Sequence, residues 1–373
     1  MFLMSQSSSA TGISSQLHSS DDFEVNPSSN LHFKFLLTAL LTAPRHHGTG
    51  DMNANLSLIS AAMSGNEDEI VALIKRGVGM ELKDPQHGRT ALVSAACEGR
   101  SRCMHLLLDG GANIEAADAE GATALLCAAA HGNADCVRLL MSAGANKDAR
   151  NANDDTAVIL AAVNGNSDCV RLLVDGGVNT EAKNNLGTTA LSEAAFYGHA
   201  GSVRVLLDGG ANKDGAPGDG KAKSAFLNAA YGGHTDCVRA LINAGANKEI
   251  RADNGMTPLI VAADKGHIDC VRLLIFSGAD KEAKDKSGMT ALARALQSGK
   301  TDVAIFLAAC PSAKDSKSVL DVCHFCAKSQ ARAAERLKRC DRCRSVAYCS
   351  VECQRSDWSA HKKVCAKPAS AAK

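Results

Sequence analysis

Residues 123–146 read Thr123-Ala124-Leu125-Leu126-Cys127-Ala128-Ala129-Ala130-His131-Gly132-Asn133-Ala134-Asp135-Cys136-Val137-Arg138-Leu139-Leu140-Met141-Ser142-Ala143-Gly144-Ala145-Asn146. Two short helices and two turns are legible in this stretch. Thr123 is an N-cap type for the first helix, and Gly132 ends that helix in a tight turn. Ala128-Ala129 leave one side of it small enough for another helix to lie close. The second helix carries Asp135 in its first turn, where negative charge suits the dipole, and Cys136, Val137, Leu139 and Leu140 as its apolar side. Gly144-Ala145-Asn146 then turns the chain out into a hairpin-like loop.

The pattern recurs. Its first residue is found at Thr90, Thr123, Thr156, Thr189, Ser224, Thr257 and Thr290, in steps of 33 residues with one step of 35. Five residues on comes Ala-Ala (Ala-Leu in the last copy), and nine residues on comes Gly99, Gly132, Gly165, Gly198, Gly233, Gly266 or Gly299. A degenerate first copy, Leu56 to Asp84, keeps Ala61-Ala62 and Gly65 and brings the count to eight. One such unit cannot bury its own core, whereas a stack of them can.

The repeat resembles the ankyrin repeat over residues 54–312. The resemblance implies an all-α solenoid of about eight repeats, a curved scaffold that binds proteins and has no enzyme activity. Only Thr257-Pro258-Leu259 keeps the family's Thr-Pro-Leu, with Pro258 at N1, where proline is tolerated. The His that normally follows, and helps tie neighbouring loops, is replaced by Val93, Leu126, Ile159, Ser192, Leu227, Ile260 and Ala293.

Composition agrees with this reading. Of 373 residues, 45% are apolar, 22% charged and only 3% aromatic, which argues against a β-sandwich or barrel. A net charge of +1 excludes a polyelectrolyte for nucleic acid or acidic membrane. Residues 1–53 are dense in Ser and are expected to be mostly disordered, with a short amphipathic stretch. That stretch, Phe33 to Ala43, has 11 residues, too few to span a bilayer. Met1-Phe2-Leu3-Met4 lacks a basic n-region, so no secretory leader is expected. Many unpaired thiols then point to a reducing compartment, cytoplasm and/or nucleus.

Within the repeats, Cys103, Cys136, Cys169, Cys237 and Cys270 share one position, with Ser202 filling the gap. Equivalent positions in a stack lie too far apart to share a metal, so these read as small buried packing residues. Arg138, Arg171, Arg204, Arg239 and Arg272 form a second ladder, and Lys147, Lys213, Lys248 and Lys281 a third, each lysine followed by an acid. Both read as solvated, charge-compensated faces. In the family, the two positions after Ala-Ala face the binding groove. They hold Phe196-Tyr197 and Tyr231-Gly232 in adjacent copies, beside the two extra residues of the Gly215 to Gly220 loop. Two readings stay open: Phe196, Tyr197 and Tyr231 form a partner-binding hot spot, or they pack between helices.

Seven of the 15 cysteines fall in the last 51 residues. Cys323-x2-Cys326, Cys340-x2-Cys343, Cys349-x3-Cys353 and His361-x3-Cys365 make four ligand pairs, enough for two tetrahedral, closed and therefore structural Zn²⁺ sites. The order Tyr348-Cys349-x3-Cys353-Gln354-x3-Trp358-x2-His361-Lys362-x2-Cys365 is similar to the MYND-type zinc finger. That resemblance implies a cross-brace: Cys323, Cys326, Cys349 and Cys353 on one zinc; Cys340, Cys343, His361 and Cys365 on the other. It also implies recognition of proline-containing peptides, for which Gln354 and Trp358 are the candidate groove residues. Residues 313–322 then form a linker and 366–373 a tail.

Residues 317–367 carry an excess of seven positive charges over acids, about +4 once thiolates and zinc are included, against −6 for the remainder. A basic finger admits a second reading, a nuclear transcriptional co-regulator contacting nucleic acid. No base-reading helix or stacking platform supports it. The favoured expectation is a non-enzymatic adaptor or scaffold, its repeats holding one protein and its finger another.

Overall fold

The computed structural model describes residues 50–215 and 224–310, and two short strands at 338–339 and 347–348. Helices dominate, in pairs. α1 (Gly50–Ser64) and α2 (Glu67–Lys75) form the first pair, α3 (Ala91–Cys97) and α4 (Ser101–Asp109) the second, α5 (Ala124–His131) and α6 (Ala134–Ser142) the third. α7 (Ala157–Val163) and α8 (Ser167–Asp175), then α9 (Ala190–Phe196) and α10 (Ala200–Asp208), continue the series. α11 (Ala225–Gly232) with α12 (Thr235–Asn243), α13 (Pro258–Lys265) with α14 (Ile268–Phe276), and α15 (Ala291–Gln297) with α16 (Thr301–Ala309) complete it. Among the described residues there are thus eight helix pairs. The first helix reaches further back than expected, to Gly50. The rest of the N-terminal segment, the linker and the tail lie outside the described residues.

From α3 onward, each first helix packs on the first helix of the next pair, and from α2 onward each second helix on the next second helix. The alanine pairs make the close approach possible: Ala95-Ala96, Ala128-Ala129, Ala161-Ala162, Ala194-Ala195, Ala229-Ala230 and Ala262-Ala263 are all buried. The second helices bury one stripe, Cys136, Val137 and Leu140 in α6 and Cys237, Val238 and Leu241 in α12. Each fully buried leucine contributes about 1.5–3 kcal/mol. The cysteine ladder is buried, as expected, and its gap is explained: Ser202 Oγ lies 3.2 Å from Ser167 Oγ of the preceding repeat.

Thr90, Thr257 and Thr290 accept the N–H of the residue three on, at 3.3–3.4 Å, and Thr189 forms a reciprocal capping box with Ser192. Thr123 and Thr156 take the same extended backbone, yet their buried hydroxyls find no partner among the described residues. The position therefore selects the entry geometry of the helix in all these copies, and the hydrogen bond in only some.

The tie between repeats sits at the turn after each first helix. The residue following the glycine reaches back to the preceding repeat's first helix, where the last carbonyls have no intrahelical donor. Asn133 Nδ2 donates to Ala96 O (2.7 Å) and Cys97 O (2.8 Å), and Asn166 Nδ2 to Ala129 O (2.9 Å) and Ala130 O (2.8 Å). His199, His234 and His267 make the same link through Nε2, each at 2.9 Å, to Val163 O, Phe196 O and Tyr231 O. A carbonyl only accepts, so Nε2 carries the proton in these rings. The turn glycine is demanded twice. Its φ is positive, +81° at Gly198, and a Cβ there would stand 2.5 Å from His234 Nδ1.

The loops are tied without the family's usual His. Asp118 Oδ1 accepts the N–H groups of Glu120 (2.9 Å) and Ala122 (2.8 Å), and Asp84, Asn151, Asn184 and Asp285 close equivalent turns. Adjacent loop tips then pair by backbone, Ala119 N–H to His87 O (2.9 Å) and Ala152 N–H to Glu120 O (2.8 Å). The charged ladders correct the sequence reading in part. Arg239–Asp236 and Arg272–Asp269 are indeed surface pairs within one helix. The lysines instead reach the next repeat, Lys147 Nζ to Gly176 O (3.1 Å) and Lys248 Nζ to Ser277 O (2.6 Å). Their acids cap the next turn, Asp214 Oδ1 accepting Asn247 N–H (2.6 Å) and Glu249 Oε1 accepting Asp280 N–H (2.8 Å). The reason is that each second helix ends in unsatisfied carbonyls and a partial negative charge, which a lysine from the preceding loop satisfies.

Asp285 carries the last described loop. Its side chain is fully buried and lies 2.5 Å from Arg294 Nη2. Burial alone would push this carboxyl up, but the N–H groups of Met289 and Ser287 and the Arg294 guanidinium outweigh it and hold it below the usual carboxylate range. A depressed native pKa stabilises the fold above the unfolded value, near pH 4, and that stabilisation is lost as pH falls through the native value. Arg294→Gln removes the guanidinium and leaves the carboxylate only the N–H groups of Ser287 and Met289, and is expected to cost about 1–2 kcal/mol at pH 7, with the deficit shrinking in acid. Urea titrations at pH 7 and pH 3 measure both. At the turns, Gly210→Ala (φ +83°, open space) is expected to cost about 1–2 kcal/mol, while Gly198→Ala, which also displaces His234, costs at least ~1 kcal/mol more. Equal losses in urea melts would show that the histidine link adds nothing.

Candidate functional site

Phe196 closes α9 and is half-buried, and Tyr197 caps the helix with its N–H on Glu193 O at 3.1 Å. The two rings meet edge to face, centroids 5.1 Å apart at 89°, and Tyr197 stacks on His199 at 6.3 Å. On the next repeat Tyr231 projects from the end of α11 and receives Lys265 Nζ of the repeat beyond at 4.6 Å from its ring centre. Tyr197 is 39% exposed and Tyr231 50%, so neither ring is spent on packing between helices. Burial of its inner side, with Glu193 adding to it, raises the Tyr197 phenol, so this hydroxyl is a neutral donor at physiological pH.

The backbone that carries these rings is held from the following repeats. The carbonyl of Phe196 is held by His234 and that of Tyr231 by His267. The two turns that carry the rings are therefore pinned to the following repeats. This histidine series was missed in the sequence reading, although it stands in plain register. Arg100, Asn133, Asn166, His199, His234, His267 and Lys300 each follow the turn glycine. The signal was positional, a polar residue after every Gly. Of the Gly215 to Gly220 loop, residues 216–220 lie outside the described residues.

In the C-terminal region β1 (Lys338–Arg339) and β2 (Ala347–Tyr348) pair antiparallel, Lys338 opposite Tyr348 and Arg339 opposite Ala347. Cys340 and Cys343 belong to the segment between the strands, and Cys349 follows β2 directly. All eight expected ligands, with Gln354 and Trp358, lie outside the described residues. The donor set is seven thiols and one imidazole, in four pairs closely spaced in sequence, and it fits zinc: borderline-soft, four-coordinate, with no oxygen donors. Among the described residues no His, Cys, Asp and Glu group could hold a metal, and no helix is long and apolar enough to cross a membrane.

The family model for ankyrin repeats (3 copies) matches residues 58–151, 144–216 and 226–318, and that for the MYND finger residues 323–365. Among solved structures, the ankyrin repeat domain of human ASB11 superposes with a TM-score of 0.52 at 23% identity, over 59% of this chain and 98% of that one. At that identity the likeness concerns the fold alone. Curated relatives match over short stretches. SET domain-containing protein 14 of Caenorhabditis elegans is 51% identical over 43 residues, 12% of this chain and 9% of that protein. Dauer abnormal formation protein 25 of the same nematode is 52% identical over 44 residues, 12% of this chain and 11% of that protein. N-lysine methyltransferase SMYD2 of Rattus norvegicus is 40% identical over 63 residues, 17% of this chain and 14% of that protein. The match thus spans no more than about a seventh of any of these three relatives.

The exposure of the two tyrosines makes a sharp expectation. Tyr197→Ala with Tyr231→Ala should lower stability by no more than ~1 kcal/mol, as exposed positions do, whereas Phe196→Ala should cost about 2 kcal/mol or more. Thermal melts of the three proteins distinguish a surface patch from a packing cluster.

Proposed function

The chain belongs to the ankyrin-repeat family, and on that footing we propose that it is a non-enzymatic adaptor with two protein-binding modules. Its architecture of ankyrin repeats followed by a zinc-binding MYND finger is that of an interaction protein. In this reading the repeats, residues 54–312, hold one partner and the finger, residues 323–365, another. The observation that carries it is the exposure of Tyr197 and Tyr231 on adjacent repeats, with Phe196 edge to face against Tyr197. Such aromatic anchors supply much of the energy of protein interfaces. The finger is proposed to take two structural zinc ions, Cys323, Cys326, Cys349 and Cys353 holding one and Cys340, Cys343, His361 and Cys365 the other. Gln354 and Trp358 are its proposed contacts to proline-containing peptides. Reduced thiol ligands favour the cytoplasm or nucleus.

Proximity labelling with the intact protein, Tyr197→Ala/Tyr231→Ala and Cys343→Ser tests the division of labour. One set of neighbours should be lost with the tyrosines and a different set with the cysteine. Loss of the same set in both variants would refute two independent modules. Metal analysis of the purified chain should return two zinc ions, and Cys343→Ser should reduce that number while the repeats keep their helicity, since ligand binding and folding of so small a module are one event. A single zinc ion in the intact protein would break the assignment.

A further inference from the structure

Two residues of the last described repeat break the pattern of the others. The position six residues after the first Thr or Ser is alanine in six copies, Ala96, Ala129, Ala162, Ala195, Ala230 and Ala263, and all six are fully buried. In α15 that position is Leu296, which is 64% exposed. The arginine ladder, Arg138, Arg171, Arg204, Arg239 and Arg272, ends in α16 on Ile305, which is 68% exposed. Leu292, one turn before Leu296, is buried only in part, whereas Leu92, Leu125, Leu191 and Leu259 at its register are buried. No described helix pair follows α15 and α16. A repeat stack exposed to water ends on a polar outer face. This one ends on large apolar side chains at registers that are alanine or arginine elsewhere, the mark of a surface that is covered.

The course of the chain says what covers it. α16 is left in the same way as the second helices before it: Lys281 Nζ donates to Cys310 O at 2.5 Å, as Lys248 Nζ does to Ser277 O. The loop register then continues in the sequence. Lys314-Asp315 stand where Lys248-Glu249 and Lys281-Glu282 stand in the two preceding copies, and one period of 33 residues after Thr290 falls on Cys323. The first residue of the finger is therefore the residue at which the first helix of a ninth repeat would begin. Phe325 follows within the same stretch.

We propose that the finger, residues 323–365 of the same chain, docks on the open end of the stack over Leu292, Leu296 and Ile305, in the place of a ninth repeat. Leucine for alanine and isoleucine for arginine then have one purpose: they fit the end to a body that is not another ankyrin repeat. Covalent linkage favours this occupant over a second copy. The 12 residues from Pro311 to Val322 hold the finger near the face at an effective concentration of about millimolar, which a separate molecule at micromolar concentration does not match.

A photoreactive benzoylphenylalanine in place of Ile305 of the full-length protein tests this, at a site exposed enough to accept it. After irradiation and peptide mapping, the expected product is a link within one chain to a peptide from residues 323–365, in a yield independent of protein concentration. Leu296→Ala in the same protein restores the residue of the six other copies, so the repeats should keep their helicity by circular dichroism. It removes the apolar contact and should lower the yield at least about threefold. A link between two chains, a link to residues 50–310, or no link at all would overturn the proposal. So would a yield that Leu296→Ala leaves unchanged, because that is the behaviour of a finger merely tethered nearby.

Discussion

Everything in the repeat region depends on one contact, the polar side chain after each turn glycine laid against the Cα of the preceding turn. Asn133 and Asn166, then His199, His234 and His267, satisfy carbonyls that the end of a helix leaves without donors. The contact requires glycine for its backbone sign and for its missing side chain together. Once made, it sets how one repeat sits on the next, and the buried alanine pairs and cysteines merely have to fit the spacing it creates. A stack built this way has only nearest-neighbour interactions, so its stability accumulates repeat by repeat.

The same contact prepares the surface that carries the functional reading. Phe196 and Tyr231 contribute the carbonyls that His234 and His267 hold, so the residues that offer aromatic rings to solvent are fastened from behind. Rigidity and exposure come from one set of bonds. The loops follow a parallel logic. Aspartate and asparagine turns, with lysines on helix ends, do the tying that a histidine does elsewhere in the family. The family's motif residue is dispensable because the requirement is a donor for an exposed carbonyl or an acceptor for a loop N–H, and several side chains meet it.

The cysteines show how far chemistry depends on neighbours. Cys97 and Cys169 are the same residue in the same kind of repeat, both buried. Burial, with Asp168 adding to it, pushes Cys169 up to about 11, whereas Cys97, at another repeat position, is lowered. The sequence drew attention to the regular ladder at Cys103, Cys136, Cys169, Cys237 and Cys270, which is structural filling. Cys97 and Cys127 stand at two other repeat positions, thirty residues apart.

By itself the sequence determined the repeat, its period, the helix pairs, the turn glycines, the buried stripe of the second helices and the eight-ligand pattern of the finger. All of these are local: 3.6-residue periodicity, backbone sign at glycine and ligand spacing act within a few residues of chain. The resemblance to ankyrin repeats implied a groove-facing position for Phe196, Tyr197 and Tyr231, and packing between helices stayed open beside it. Only the tertiary structure decided that Tyr197 and Tyr231 are exposed, and that lysines cap the next repeat's helix. Those facts belong to contacts between repeats about thirty residues apart. A side chain's burial and charge environment are set by which face the neighbouring repeat covers, and that follows from how the repeats stack.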